Sequence, residues 1–324
     1  MTAADSLGEV GESAALARIF PRLPAATSQL LGPGDDSAVV AAPDGRFVVT
    51  TDMMIHGPDF RLAWSTPHDL GWKAAASNLS DVAAMGAVPS ALVVAIAAPA
   101  DSPVTLLEGI ADGLRDACEA LSPGCGVVGG DLSVSSTLTI AVTAFGNLQG
   151  RDAVTRSGAE VGNVVAVAGV LGEAAAGLRL LFDKATTDSE PDAMLASQLR
   201  ARFSHLILAQ LAPRPPIGHG VLAAVAGATA MIDLSDGLAL DARRLAKASG
   251  VAIDLDPTAV GSREALDGGE DHSLLATFPQ GADLPDGFRI IGRVVTGDGL
   301  LVAGEPYDRT GGWDPYTGWN GVAG

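Results

Sequence analysis

Five short segments of this chain carry aspartates beside glycine, serine, threonine or asparagine, a pattern typical of a site that binds metal ions. The segments are Gly34-Asp35-Asp36, Thr50-Thr51-Asp52, Asn78-Leu79-Ser80-Asp81, Gly129-Gly130-Asp131 and Asp233-Leu234-Ser235-Asp236-Gly237. Magnesium binds one or two carboxylates together with waters and phosphate oxygens. One Asp-Gly pair is most often a turn or a helix cap. Five such segments, which we expect where strands or helices end, favour a magnesium and phosphate site.

The scarcity of lysine supports a metal-dependent site. The chain has three lysines, Lys73, Lys184 and Lys247, and none follows the glycines of a phosphate-cradling Walker loop. Bound phosphate would therefore depend on metal ions. Phosphoryl transfer is mostly positioning and charge stabilisation, so the sequence predicts no covalent nucleophile. Arg156 would add a bidentate phosphate contact, and an ordinary surface arginine is the alternative.

Other kinds of site find little support. The GxGxxG at 124–129 surrounds an expected strand instead of opening a helix, so we reject it as a dinucleotide site. The five histidines lack zinc-ligand spacing, and Cys118 and Cys125 are expected to be ordinary reduced thiols. The local motifs of serine hydrolases, zinc proteases and calcium loops are missing from the sequence.

Composition restricts the class of partner. The 324 residues are 48% hydrophobic and carry a formal net charge of −18 at pH 7. Such a charge repels nucleic acid and anionic membrane surfaces, which bind through clustered Lys and Arg. No apolar run reaches the ~18 residues of a membrane span, and the first residues lack the features of a signal peptide. We expect a cytoplasmic protein.

Strands and helices alternate along the chain, which predicts an α/β (α+β) fold. Two domains are expected at this length, 1–150 and 151–324. The predicted strands are 38–40, 47–51, 91–98, 126–128, 138–145, 164–170, 231–233, 251–255 and 288–295. The predicted helices are 9–20, 67–85, 104–121, 172–182 and 238–249. Segments 186–192 and 213–216 are predicted to be loops.

The helix expected from residue 67 onward carries a polar stripe. Thr66, Pro67 and Asp69 form a capping box with proline at the first helical position. Lys73, Ser77 and Asp81 then repeat every four residues. Such a stripe either faces solvent or forms one wall of the aspartate site.

Taken in order, these segments resemble the thiamine-monophosphate kinase family, whose superfamily includes aminoimidazole ribonucleotide synthetase and selenophosphate synthetase. Arg156-Ser157-Gly158-Ala159 and Gly268-Gly269-Glu270-Asp271 also match, and the resemblance covers residues 9–313. It implies an N-terminal domain that pairs in a homodimer, a C-terminal α/β domain, and ATP with several Mg²⁺ ions between them. It further implies transfer of the γ-phosphate of ATP to thiamine monophosphate.

The resemblance also assigns roles to residues. Implied metal ligands are Asp35, Thr50, Thr51, Asp52, Asp81, Asp131, Asp233 and Asp236. Implied ATP contacts are Gly130, Asp131, Arg156 and Ser235. Implied substrate contacts are Asp59, Glu270 and Trp313. A carboxylate suits a cationic, amino-bearing thiamine ring, and an indole offers it a stacking face.

The chain departs from the family pattern at three places. Asp59 stands where the family commonly has His, Asn163 where it has Asp, and His272 where Tyr is common. Two alternatives stay open: an ATP-dependent synthetase of the same superfamily, and a non-catalytic nucleotide-binding scaffold.

Overall fold

The computed structural model describes residues 6–32, 37–309 and 311–312. Asp35 and Trp313, two of the predicted site residues, lie outside them. The helices are α1 Leu7–Val10, α2 Glu12–Ile19, α3 Pro67–Ala84, α4 Val104–Leu121, α5 Glu173–Lys184, α6 Ala193–Arg202, α7 Ser204–Leu211, α8 Ile217–Val225, α9 Leu238–Ser249, α10 Pro257–Val260 and α11 Arg263–Asp267. The strands are β1 Gln29–Leu31, β2 Val39–Val40, β3 Val48–Ile55, β4 Val88–Ala98, β5 Val127–Val134, β6 Thr139–Asn147, β7 Val164–Ala168, β8 Thr186–Thr187, β9 Glu190–Pro191, β10 Ala230–Leu234, β11 Ala252–Leu255, β12 Ser273–Phe278, β13 Phe288–Val295, β14 Gly299–Val302 and β15 Glu305–Pro306.

Two large sheets organise the chain. A four-stranded sheet has the order β3-β6-β4-β5, and a seven-stranded sheet has the order β10-β12-β7-β13-β11-β14-β15. Helices pack on both sheets, which confirms the predicted α/β (α+β) class. The division into domains 1–150 and 151–324 stays a prediction. Among the described residues no helix is long and apolar enough to cross a membrane.

Helix α3 packs against elements of both sheets. It begins as predicted: Thr66 Oγ1 accepts from the Asp69 N–H at 3.2 Å, and Asp69 Oδ2 accepts from the Thr66 N–H at 2.8 Å. The helix contacts β3, β4 and β6 of the four-stranded sheet, and it also contacts β10, β12 and α8. An uninterrupted stretch of it, 69–80, is buried. One core cluster therefore joins residues from both halves of the chain.

Helices α3 and α4 cross at glycines. A Cβ atom added at Gly71 would lie 1.9 Å from the carbonyl oxygen of Ile110, and one added at Gly113 would lie 2.0 Å from that of His68. Real Cβ atoms do not approach that closely, so the two backbones touch only because both positions lack side chains. This close crossing fixes α3, and with it the polar stripe that the sequence indicated.

The two faces of the four-stranded sheet have different environments, because cross-strand partners share a face. One row of partners belongs to the core formed with the helices: Met54, Ile140, Ile96 and Leu132. The neighbouring row lies on the opposite, outer face: Met53, Ala141, Ala95 and Asp131. The β1–β2 segment covers the outer face around Phe145, while Val49 and Met53 stay 60% and 59% exposed.

Several predicted boundaries are wrong. Asp52 and Asp131 lie inside β3 and β5 and do not end these strands, because pairing with β6 and β4 continues past them. Residues 186–192, predicted to be a loop, include the short β8–β9 pair. Gly11, with φ of 77°, separates α1 from α2 within the predicted helix 9–20. Helices α6, α7 and α8 and strand β12 were not predicted.

Candidate active site

Four aspartates lie close enough to interact electrostatically where α3 packs against both sheets. They are Asp52 on β3, Asp81 on α3, Asp233 on β10 and Asp236 in the loop after β10. Thr50 Oγ1 donates to Asp81 Oδ2 at 2.8 Å, and Asn78 Oδ1 accepts from the Asp52 N–H at 3.2 Å. These bonds tie the last turns of α3 to β3. The cluster therefore contains residues from three of the five sequence segments, 50–52, 78–81 and 233–237. Asp131 lies elsewhere, and Asp35 lies outside the described residues.

The pKa values show that these carboxylates repel each other. Burial, together with Asp233 and Asp52, raises the pKa of Asp81 to about 7. Burial also raises the pKa of Asp52, and the charges of Asp233, Glu270 and Asp236 add to the rise. Neighbouring negative charge disfavours the ionised form of a carboxyl group. A bound cation would relieve this repulsion.

The loop after β10 is held by a buried acid on α9. Asp241 Oδ2 accepts from the N–H groups of Asp236 and Gly237, both at 3.1 Å. Arg244 Nη1 bridges Asp241 Oδ1 at 2.7 Å and Asp236 Oδ2 at 2.5 Å. Gly237 has φ of 118°, which favours glycine there. These contacts fix the Asp236 side chain just before the N-terminus of α9.

Glu270 lies in a buried network of charges. Its Oε2 atom is 2.8 Å from Lys73 Nζ and 3.7 Å from His272 Nε2. His272 Nδ1 is 3.4 Å from Asp233 Oδ2, so the network reaches the aspartate cluster. Burial alone would raise the pKa of Glu270, but Lys73 and His272 lower it to about 2. Burial alone would lower the pKa of His272, but Asp233 and Glu270 raise it to about 10.

The backbone around Glu270 is strained and strongly anchored. Glu270 and His272 have φ of 71° and 50°, a region that non-glycine residues rarely adopt. The Glu270 N–H donates to Ser235 O at 2.7 Å, and the His272 N–H donates to Leu234 O at 2.9 Å. Asp271 accepts from the Gly172 and Ala174 N–H groups at the start of α5. These bonds hold the unusual conformation in place.

Sequence reasoning missed two members of this network. The sequence shows Lys73 only as part of a polar stripe, and it shows His272 only as a departure from the family pattern. The four-residue spacing of Lys73, Ser77 and Asp81 was the available signal. Ser77 Oγ lies 3.2 Å from His272 Nε2, so the stripe faces the site and not solvent.

Thr51 and Asp131 do not join the aspartate cluster within one chain. Both lie on the outer face of the four-stranded sheet, whereas Thr50 and Asp52 lie on the face toward α3. Strands β3 and β5 are also its two edges, three strand spacings or about 14 Å apart. One metal ion therefore cannot bind Asp52 and Asp131 of the same chain.

The remaining predicted residues are placed less centrally. Ser235 contributes its carbonyl to Glu270, as above. Asp59 is half-buried, and its Oδ2 accepts from the Ile55 N–H at 2.7 Å. The pKa of Asp59 is raised by burial, with a contribution from Glu270. Arg156 is exposed, its carbonyl accepts from Ser249 Oγ, and its guanidinium forms no ion pair with the described residues.

A cavity of about 790 Å³ lies beside Gly130 and Asp131, between α2, α4 and strands β4 and β5. Its lining is mostly apolar, with side chains such as Leu16, Phe20 and Leu107. A cavity of this size and character suits a drug-sized organic ligand. A Cβ atom at Gly130 would lie 1.9 Å from Val94 O, so the strand approaches its neighbour there only through glycine.

The aspartate cluster fits magnesium better than zinc. Among the described residues no group of three His, Cys, Asp or Glu side chains is arranged to hold a metal ion by itself. Magnesium keeps several waters and takes few protein carboxylates when phosphate oxygens are present. The aspartate carboxylates are hard oxygen donors, and they do not surround a metal position completely. Both properties are consistent with magnesium.

Comparison with known proteins decides the family. The thiamine-monophosphate kinase of Mycobacterium tuberculosis H37Rv is 43% identical over 336 aligned positions, which span 98% of this chain and 93% of that protein. The chain belongs to the thiamine-monophosphate kinase family. Residues 34–148 of the chain also match the family model described as AIR synthase related protein, N-terminal domain.

Solved structures agree with this family assignment. Thiamine monophosphate kinase from Aquifex aeolicus superposes with a TM-score of 0.70 at 33% identity, covering 83% of this chain and 91% of that one. A structure of AaThiL complexed with AMPPCP and TMP gives a TM-score of 0.69 at 30% identity, covering 96% of this family member and 99% of that chain.

Proposed function

We propose that this chain transfers the γ-phosphate of ATP directly to thiamine monophosphate, giving thiamine diphosphate and ADP. The observation that carries the proposal is the 43% identity over 98% of the chain to a thiamine-monophosphate kinase. The link between the aspartate cluster and the Glu270 network supports it. The aspartates offer ligands for a metal ion, and Glu270 offers a carboxylate to the substrate beside them. The reaction would belong to thiamine diphosphate biosynthesis, and we place it in the cytoplasm.

Magnesium is part of the proposal. Asp52, Asp81, Asp233 and Asp236 would hold it, with Thr50 orienting Asp81. When bound, Mg²⁺ supplies charge neutralisation for the phosphate oxygens of ATP. The chain itself orients Asp236 through Asp241 and Arg244, and it orients Glu270 through Lys73. Ser235 and Arg156 would contact ATP, and Asp59, Glu270 and Trp313 would contact thiamine monophosphate.

A direct assay tests this function. Purified protein incubated with ATP, Mg²⁺ and thiamine monophosphate should form thiamine diphosphate and ADP in equal amounts, because one phosphoryl group moves between them. Chromatography of both products measures this. Omitting Mg²⁺ or the acceptor should stop ADP formation. ADP release that does not depend on the acceptor would contradict the kinase proposal. No ADP at all would also contradict it and would favour the non-catalytic scaffold.

We further propose that two copies pair through the outer face of the four-stranded sheet. Val49 and Met53 expose apolar surface there, and β3 and β5 are the edge strands of the sheet. Exposed apolar surface and edge strands are prone to associate with another chain. In a two-fold pair, β3 of one copy can lie beside β5 of the other. That arrangement would bring the partner's Asp131, and the cavity beside it, to the edge strand β3, which carries Thr51 and Asp52.

Mixing variants tests the shared site. Asp52→Asn and Asp131→Asn are each expected to be inactive. Heterodimers that combine them keep one intact site, because Asp52 of one copy would act with the partner's Asp131. Random exchange should recover about a quarter of the wild-type activity under two-fold symmetry. The steady-state rate after co-refolding or subunit exchange measures this recovery.

The control pair is Asp52→Asn with Asp236→Asn. Both residues belong to the cluster within one chain, so no combination of these variants has an intact site, and no recovery is expected. Recovery in the control, or none in the first mixture despite a dimer in light scattering, would refute the shared site.

A further inference from the structure

Lys73 differs from the other lysines in its environment. It is 4% exposed inside α3, while Lys184 and Lys247 are exposed. Taking an ammonium group out of water is costly unless it is paired. Here its Nζ atom lies 2.8 Å from Glu270 Oε2. Because Lys73 is buried, it does not serve as a solubilising surface charge, and its pairing with Glu270 indicates a role inside the site.

A second polar group fixes the direction of the lysine. With its amide oriented to satisfy both ends, Gln210 of α7 accepts from Lys73 Nζ at 3.3 Å and donates to Ala174 O at 3.1 Å. Lys73 is thereby tied to α7 and, through Ala174, to α5. Among the described residues no ion pair joins Lys73 to the four clustered aspartates. Its electrostatic partner is therefore Glu270.

Glu270 remains accessible despite this pairing. Its side chain is 33% exposed, whereas those of Lys73 and His272 are 6% and 5% exposed. Lys73 and His272 therefore contact the carboxylate on its buried side and leave part of it exposed. An ionised carboxylate accepts hydrogen bonds and donates none.

We propose that Lys73 is a positioning residue that holds the Glu270 carboxylate ready to accept a hydrogen bond from the amino group of the thiamine pyrimidine ring. This inference rests on the proposed function and adds a residue to its substrate site. Lys73 acts through Glu270 and does not touch the substrate. It thus makes the enzyme selective for a ring that carries a donor at this position.

The test compares two acceptors that differ at that group. Oxythiamine monophosphate carries an oxygen where thiamine monophosphate has its amino group. We expect Lys73→Met to lower kcat/KM for thiamine monophosphate by roughly 10- to 100-fold, the range for losing a hydrogen bond to a charged group. The same variant should change kcat/KM for oxythiamine monophosphate far less. The ratio of the two kcat/KM values therefore falls.

Control variants separate positioning from folding. Lys73→Arg keeps the charge and should restore most of the ratio. Lys247→Met removes an exposed lysine and should leave the ratio at the wild-type value. Gln210→Ala keeps Lys73 but removes its second partner, so a smaller fall of the ratio is expected. If circular dichroism shows that Lys73→Met does not fold, Gln210→Ala supplies the test in its place.

Binding gives a readout that does not depend on turnover. Calorimetry with free thiamine and free oxythiamine, without ATP or Mg²⁺, should show the same loss of preference in Lys73→Met. Equal losses for both acceptors would overturn the proposal, because Lys73 would then act on the shared phosphate or on the fold. Wild-type protein that forms no thiamine diphosphate would overturn the proposed function itself, so the two failures are distinguishable.

Discussion

Asp52→Asn and Asp236→Asn should each lower kcat/KM on the order of 1,000-fold. Both substitutions remove a carboxylate from the cluster proposed to hold Mg²⁺. Loss of about 4 kcal/mol of charge stabilisation on the transferring phosphoryl group would account for this factor. Steady-state kinetics at saturating ATP and Mg²⁺ measure the loss.

Asp52→Asn should not destabilise the metal-free protein, whereas Asp236→Asn also loses the ion pair with Arg244. The Asp52→Asn substitution removes a negative charge from a cluster in which neighbouring charges raise the pKa of Asp52 and of Asp81, so less repulsion remains in the folded state. Without Mg²⁺, Asp52→Asn should therefore unfold at a temperature equal to or higher than that of the wild type. Addition of Mg²⁺ with ATP should stabilise the wild type and have a smaller effect on the variants. Full activity in both variants would refute the metal assignment.

Gly71→Ala should lower the free energy of unfolding by about 3 kcal/mol or more, as expected for overpacking at a rigid contact. The new methyl group would lie 1.9 Å from Ile110 O, and a backbone oxygen cannot rotate away. Helices α3 and α4 would have to separate. Urea denaturation followed by circular dichroism measures the shift of the midpoint.

Gly218→Ala is the matched control for this substitution. Gly218 lies in α8, is exposed, and has no atom within 4 Å of an added Cβ. Alanine should stabilise this helix by up to about 1 kcal/mol, because it restricts the unfolded chain more than glycine does. If both variants shift the midpoint in the same direction, close packing at Gly71 is not the cause.

Local chemistry predicted some elements well. The capping box at Thr66 and Asp69 located the start of α3, and the predicted helices 104–121 and 238–249 match α4 and α9. Gly250, with φ of 68°, ends α9 as a C-cap, as its residue type favours. These features depend on neighbours in sequence, so the sequence is enough to find them.

Tertiary pairing decided the features that sequence could not predict. The continuation of β3 past Asp52 depends on its partners in β6, which lie about 90 residues away. The face occupied by Asp131 depends on register across three strands. From the sequence, Lys73 is as compatible with a solvent-facing position as with a buried one. Only its ion pair with Glu270, far along the chain, makes it part of the site.

Helix α3 has a consequence for how the family can vary. Its buried faces contact β3, β4 and β6 as well as β10, β12 and α8. A fragment that ends near residue 150 would expose the apolar surface that Met231, Leu274 and Phe278 normally cover. If the C-terminal half were replaced by that of a relative, the new β10, β12 and α8 would have to pack against the α3 of this chain. The two halves are therefore expected to be inherited together and to melt as one cooperative unit.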